Sequence, residues 1–513
     1  MNPEHDTAPH PARPDEPAAP LAAALVFDAG KGSETKATHG SIEAVLETAG
    51  FKQHQIRVIY YGNWLRDYSQ LLDPKLVRPA SAPKNFPKAL SREALTQIVD
   101  VLAVREFIDL MEHDREQFRV TPDKLGVYRP SEHLDNPHPG TRKRVDFKKI
   151  DEAFEAWIAA EDPLLHVAPD TSMKNYIQRS VDFMSSAMNN ARMSGPESVE
   201  GLRDFGSALH VLEDLFAHSN FVELSLIKLG YTHVLPWTSR ADCKHGLPLV
   251  TGTFSGSDVI ASLAAPLAAI LFSTDGKPFE ATRSGVRYER DRIIQILLSE
   301  HPDQDWNTAH EAFLSGRDTW AKLPFAEQTE KIFNVLGTPG KIVGNAVGTA
   351  LQGMTTLLGN SVDDVQTVLG ADPNTSGSTD PSHSQLAKDH AEHPLHGLAA
   401  LLAQHAVLSV GKAMLAQWHT AFGGRDPAQV AANYFTHPMD SSWQDALVRD
   451  WAIHNHSRVK AAGNKSELSH LHLDVRDNAM KALRRLDDES DSFLKRFSGI
   501  KSPADLWNLI TDK

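Results

Sequence analysis

Cysteine is nearly missing from this chain, with Cys243 the single one in 513 residues. One thiol excludes an intrachain disulfide framework and a thiolate zinc cluster, so any metal must be held by His and carboxylate. Aromatics are scarce at 7%, which argues against a large all-β protein, since strands draw heavily on Tyr, Phe and Trp. Positive charge is in deficit, 52 Lys and Arg against 66 Asp and Glu, for a net charge of −14. Sequence-general nucleic-acid binding runs on neutralised phosphates, so no nucleic-acid partner is expected. Long apolar runs are missing as well. No stretch of 18 apolar residues occurs, and an ordinary transmembrane helix is therefore not expected. The first 35 residues hold six prolines between Pro3 and Pro20 and lack a basic segment followed by an apolar one. They read as a disordered leader, not as a cleaved secretory signal.

What remains is ordinary globular material, 41% hydrophobic and 23% charged, long enough to bury a core without covalent staples. The anomaly is 25 histidines. Apolar residues recur at helical spacing over Leu90–Phe118, Phe147–Ile158, Tyr176–Met193, Val199–Gly230 and Leu395–Trp418. Only Ile56–Tyr61 and Leu249–Phe254 read as short strands. The expected class is mainly α. Residues 1–35 are the leader, 36–420 the main domain, and 421–513 a charged, amphipathic helical extension. Within 257–380 an insertion carries two apolar segments, Asp258–Phe272 and Ile332–Gly359. The second sets Gly340, Gly344 and Gly348 four residues apart, a stripe suited to close helix packing or to docking on lipid.

The most informative segment is Gly201–Glu223, GLRDFGSALHVLEDLFAHSNFVE. On a helix, His210, Asp214 and His218 lie at four-residue steps on one face, drifting by about 40° per step. A His, a carboxylate and a His on one stripe form a metal-binding edge. Glu213, one residue off the stripe, is placed to accept a hydrogen bond behind a ligand or to serve as an extra ligand. Four other segments supply the same chemistry. His39 starts an apolar-periodic helix; Asp67 lies in a Trp- and Tyr-flanked turn; His133 is followed by Asp135 in a Pro-rich loop. In DPSHSQLAKDH, Ser382 or Asp380 can cap a helix with Pro381 in its first turn, placing His383 and His390 seven apart on one face beside Asp389. Five separated segments delivering His and Asp suit a multinuclear metal site of nitrogen and oxygen ligands.

These residues resemble a known family. GNWLRDYSQ, LGVYRPSEHLDNP, ALHVLEDLFAHSNFVEL, VTGTF and SHSQLAKDH occur in the order seen in the Het-C family, named for a fungal heterokaryon-incompatibility protein. The likeness runs from about Thr38 to Trp418. Het-C proteins look distantly similar to zinc-dependent phospholipases C and single-strand nucleases, which implies a multi-helix core around two or three zinc ions. The resemblance carries over to His39, Asp67, His133, His210 and Asp214, and further to His218, His383, Asp389 and His390. The pattern differs at three points: His218 stands at +8 where those relatives place the third residue at +10, His383 is accompanied by Asp389 and His390 where they have His-x₃-Glu, and their ligand from the mature N-terminal amine is expected to have no counterpart, since His39 lies inside the chain.

The resemblance implies a zinc-dependent phospholipase, a cell-death or antagonism toxin acting on membrane glycerophospholipids with a metal-activated water. Asp67 or Asp214 would orient the water or bridge metals, with Glu213 or Asp389 as the base. Cleavage of the phosphodiester is favoured over cleavage of the acyl ester. The other readings are a metal-dependent phosphodiesterase or nuclease, and a non-catalytic membrane-permeabilising toxin with a structural metal. Ser219 and Ser384 sit in no Gly-x-Ser-x-Gly elbow, so a serine lipase is not expected. The partners expected are a phospholipid membrane and an immunity or secretion-system protein. The protein is expected to be made in the cytoplasm and then exported or membrane-associated.

Overall fold

The computed structural model describes residues 38–137, 146–254 apart from 157 and 160, 287–320, 349–357 apart from 351 and 355, 372–419 apart from 390, and 424–469. The leader, the 258–272 segment, Gly340, Gly344, Gly348, His390 and everything after 469 lie outside these residues. The fold is mainly α, and among the described residues no sheet forms.

The helices that position the site are α1 (His39–Glu43), α2 (Gln53–Ser69), α3 (Arg92–Glu106), α4 (Ile177–Ser194), α5 (Val199–Ala217), α6 (Phe221–Lys228), α7 (His383–Leu386) and α8 (His396–His419). The central element is α5, against which α2, α4 and α8 all pack. Ser198 caps its start by accepting from the Gly201 N–H at 3.1 Å. From Ala208 to Ala217 every residue of α5 is buried. A helix buried on all sides has no solvent face for its polar residues, so His210, Glu213 and Asp214 must find partners inside the protein.

Two glycines set the approach of α2 to α5. A Cβ on Gly206 would lie 1.8 Å from the Ile59 carbonyl oxygen, and one on Gly62 would lie 2.0 Å from that of Arg203. Only residues without side chains let the two backbones meet this closely. The crossing places Asn63 beside His210.

Several local expectations are corrected. Ile56–Tyr61 is not a strand but lies inside α2, where the β-branched and aromatic side chains are buried in the core. Asp67 therefore sits on the last turn of a helix instead of in a loop turn. Leu90–Phe118 forms three helices, Arg92–Glu106, Ile108–His113 and Arg115–Phe118, broken at Phe107 and Asp114. Among its described residues, Phe147–Ile158 is helical only as a 3₁₀ turn at Phe147–Lys149. Beyond it the Asp151 carboxylate accepts from the Ala153 N–H at 2.9 Å, and Arg129 takes the Ala153 carbonyl at 2.7 Å. Side chains thus satisfy backbone groups that a helix ladder would have used.

The helix expected over Val199–Gly230 breaks at 218–220. The Asn220 N–H turns to the Val250 carbonyl, 3.2 Å away. The segment 249–254 is extended and touches several others through isolated bridges: Leu249 with Met173, Thr251 with Ser219, and Thr253 with both Asn136 and Ser382. At the far end α8 is, by length and composition, able to cross a membrane, but most of it is buried in the core. Trp443, Leu447, Val448, Trp451 and Ala452, from residues after 440, also pack on that core.

Candidate metal centre

Three of the short bridges hold ligand-bearing segments together. Asn136, three residues after His133, donates to the Gly252 carbonyl at 2.7 Å, and the His383 N–H donates to Thr253 at 3.0 Å. Ser219, next to His218, pairs with Thr251. Gly252 permits this convergence, because a Cβ there would lie 2.4 Å from the His383 Cα. The VTGTF stretch thus serves as a tie among three candidate ligand segments.

The candidate residues come together at the crossing of α2 and α5. His39, Asp67 and His210 offer ligand atoms all within 4.8 Å of one another, and so do His133, His210 and Asp214. His39 begins α1, with Thr38 as its N-cap, and its Nδ1 lies 2.5 Å from Glu213 Oε2. That leaves Nε2 turned toward Asp67, 3.8 Å away. His210 faces Asn63 Oδ1 through Nδ1 at 2.9 Å, while its Nε2 lies 3.0 Å from His133 Nδ1.

The neighbours fix where the protons lie. Asn63 Nδ2 faces two carboxylates, Glu43 Oε1 at 2.9 Å and Glu213 Oε2 at 3.3 Å. Its carbonyl oxygen therefore faces His210 and accepts the Nδ1–H, leaving a lone pair on Nε2. Ser69 donates its hydroxyl hydrogen to the Arg66 carbonyl at 2.7 Å, so its oxygen accepts from His133 Nε2 at 3.1 Å. That puts the His133 lone pair on Nδ1, where it accepts from the Gln70 side-chain amide at 3.3 Å and also faces His210. Two imidazole lone pairs thus point at each other across 3.0 Å.

Burial pushes the pKa of both rings well below the ordinary histidine value, and the charges of Arg66 and of neighbouring histidines add to the effect. Both are therefore neutral, the form that binds metal. Asp214 completes the triad with Oδ2 3.2 Å from His210 Nε2. Neither of its oxygens makes a hydrogen bond among the described residues, although both are buried. Burying a carboxylate is costly, and burial raises its pKa, with the neighbouring His218 ring, 3.4 Å from Oδ1, acting against that rise. A cation among these three groups satisfies all of them, so the residues present fit a divalent metal.

A second group adjoins the first. His218 Nδ1 lies 3.4 Å from Asp214 Oδ1, too poorly aligned for a hydrogen bond, and its Nε2 lies 3.2 Å from Asp389 Oδ2. Burial opposes charge on this ring, but the two carboxylates outweigh it and hold its pKa well above the ordinary value. The His383 ring lies tilted against that of His218, with centroids 4.2 Å apart, and donates from Nδ1 to Asp135 at 2.8 Å. Asp135 also accepts from the Tyr128 hydroxyl at 2.9 Å.

The helix carrying His383 has Ser382 as its cap and ends at Leu386. Pro381 therefore precedes the cap, and no helix extends from His383 to residue 390 to put both histidines on one face. Asp389 arrives instead because Lys388 is clamped. Its N–H donates to the Ala217 carbonyl, and its ammonium bonds Ser219 O, Leu386 O and Glu223 Oε1 at 2.7, 2.6 and 3.1 Å.

Asn63, Glu43, Asp135, Tyr128, Lys388 and Glu223 are the surrounding residues that spacing alone did not assign. Glu43, Asn63 and Glu223 are polar residues inside otherwise apolar helical runs, Asp135 is marked only by standing two residues after His133, and Tyr128 and Lys388 lie outside helices.

Residues 21–274 match the family described as Heterokaryon incompatibility protein Het-C. The match supports placing the chain in the Het-C family and spans the segments bearing His39, Asp67, His133, His210, Asp214 and His218; His383 and Asp389 lie beyond it. Comparison with curated proteins and with solved structures found no match.

Proposed function

We propose that this protein is a zinc-dependent phospholipase, cleaving the phosphodiester of membrane glycerophospholipids as a cell-death or antagonism toxin. The observation that carries the metal reading is the approach of His133 Nδ1 to His210 Nε2 at 3.0 Å, with the fully buried carboxylate of Asp214 3.2 Å from that same Nε2. An all-imidazole and carboxylate set favours zinc among the divalent metals. The phospholipid substrate comes from the resemblance to zinc phospholipases C.

The residues divide by exposure. Asp67 is 17% exposed, whereas the other described candidate ligands are 7% or less. Substrate and water thus approach at the end of α2, where Asp67 orients the attacking water and receives its proton. His39, His133, His210 and Asp214 would hold the first ion, with His218, His383 and Asp389 beside a second. Glu213 sits behind His39 and acts through it. A zinc ion held by these residues would supply water activation near neutral pH and polarisation of the phosphoryl oxygen. Water adds to phosphorus, the bond to the diacylglycerol oxygen breaks, and that oxygen takes a proton to leave as an alcohol.

The test is product analysis on mixed phospholipid vesicles with zinc-loaded wild type and Asp214→Asn. The proposal expects diacylglycerol and phosphorylated headgroup from wild type alone. Fatty acid release would move the reaction to the acyl ester. Vesicle leakage with no product from either protein would make the protein a membrane-permeabilising toxin with a structural metal.

A further inference from the structure

We propose that Asn63 is a positioning residue that sets proton placement on the metal-facing histidines, on His210 directly and on His39 through Glu213. The inference rests on the metal-centre reading but concerns the chain's own hydrogen bonds, which exist without the ion.

Asn63 is fully buried, and each of its polar atoms is committed. Its carbonyl oxygen takes the His210 Nδ1–H at 2.9 Å. Its two amide hydrogens go to Glu43 Oε1 at 2.9 Å and Glu213 Oε2 at 3.3 Å. That same Glu213 oxygen lies 2.5 Å from His39 Nδ1. One side chain therefore spans two histidines. It leaves the Nε2 lone pair of His210 directed at His133 and Asp214, and it anchors the carboxylate that turns His39 toward Asp67. A neutral imidazole in water carries its proton mainly on Nε2, the form that would block the metal-facing atom of both rings. Partners on the far nitrogen reverse that choice. The glycine crossing supplies the reach, since Asn63 follows Gly62 and His210 lies one turn after Gly206, the two positions where α2 and α5 touch.

A role in packing alone and a role in positioning predict opposite rankings of two substitutions. Asn63→Leu keeps the branched outline of the side chain, somewhat enlarged, and is apolar, whereas Asn63→Asp adds a third buried carboxylate beside Glu43 and Glu213. If Asn63 only fills space, leucine is the milder change. If it positions His210, aspartate keeps the acceptor and leucine loses it.

The experiment is long-range ¹H–¹⁵N correlation on full-length, metal-free protein labelled with ¹⁵N-histidine, with His210→Gln identifying the His210 signals. It is paired with zinc titration against a chromophoric chelator. The expected result is a single Nδ1–H form of His210 in wild type and in Asn63→Asp. In Asn63→Leu that form is lost, and zinc affinity falls about 10–100-fold. An unchanged His210 tautomer together with zinc affinity within twofold of wild type in Asn63→Leu would overturn the proposal. If Asn63→Leu does not fold, Asn63→Asp decides, and loss of its Nδ1–H signal is the overturning result. Should wild type bind no zinc, the metal reading fails, while the tautomer comparison still decides the role of Asn63.

Discussion

Gly206→Ala tests whether the close crossing of α2 and α5 builds the site. The new methyl would lie 1.8 Å from the Ile59 carbonyl oxygen and 2.8 Å from the Asn63 nitrogen. Van der Waals contact needs about 3.5 Å, so the helices must separate by roughly 1.7 Å. The obstacle is backbone within a buried helix and has no rotamer with which to yield. Overpacking of this kind costs about 3 kcal/mol, while alanine in place of glycine returns about 1 kcal/mol of helix propensity. The net expectation is a loss of roughly 2 kcal/mol, read as a lower urea midpoint at unchanged slope.

The same separation carries Asn63 Oδ1 and His210 Nδ1 from 2.9 Å to beyond hydrogen-bond range, so zinc affinity should fall together with stability. Gly397→Ala is the control. Its methyl would meet only the Trp451 ring at 3.6 Å, an ordinary contact, and the midpoint should hold or rise. A Gly206→Ala protein as stable as wild type, with the same zinc affinity, would refute the reasoning about the crossing.

Other consequences lie farther from the crossing. Gly252→Ala places a methyl 2.4 Å from the His383 Cα; calorimetric titration should show the second zinc weakened more than the first. Lys388→Met strands Glu223, whose pKa burial already raises. Denaturation should show a loss of about 3–5 kcal/mol, largely recovered when Glu223→Leu is added. His437 donates from Nε2 to the Leu247 carbonyl at 2.9 Å and accepts from the Met439 N–H at 3.2 Å. Burial pushes its pKa down to about 4, with the stacked His245 and nearby Lys244 acting in the same direction and Asp440 against it. The unfolded chain, with a histidine pKa of about 6.5, binds that proton first as pH falls. This ring's contribution is therefore complete above about pH 6.5 and is lost toward pH 4, by about 3 kcal/mol at most. Urea midpoints of wild type and His437→Gln should converge over that window.

The helical class and the His210–Asp214–His218 stripe were legible because both are periodicities of one helix. Helix α5 spans the first two positions, and His218 stands at its C-terminal cap. The run IRVIYY misled because β-branched and aromatic residues report burial as much as strand, and α2 buries them in the core. Phe147–Ile158 misled in the opposite way. Its apolar spacing is helical, but Asp151 and Arg129 hold the backbone in another form. The roles of Asn63, Lys388 and Glu223 were hidden, because their partners lie 147, 169 and 165 residues away along the chain. The glycine pair was equally hidden. Gly62 and Gly206 gain their meaning only when the helices cross.

In the proposed centre His133, His210 and the carboxylate of Asp214 converge on a divalent metal. The most direct measurement is zinc stoichiometry by elemental analysis of full-length wild type and Asp214→Asn, each equilibrated with zinc and dialysed. At least one tightly held zinc per folded wild-type chain is expected, and two if the adjoining His218, His383 and Asp389 group is filled, with fewer in Asp214→Asn. A folded wild-type protein that retains no zinc, or an Asp214→Asn protein that retains as much as wild type, would contradict it.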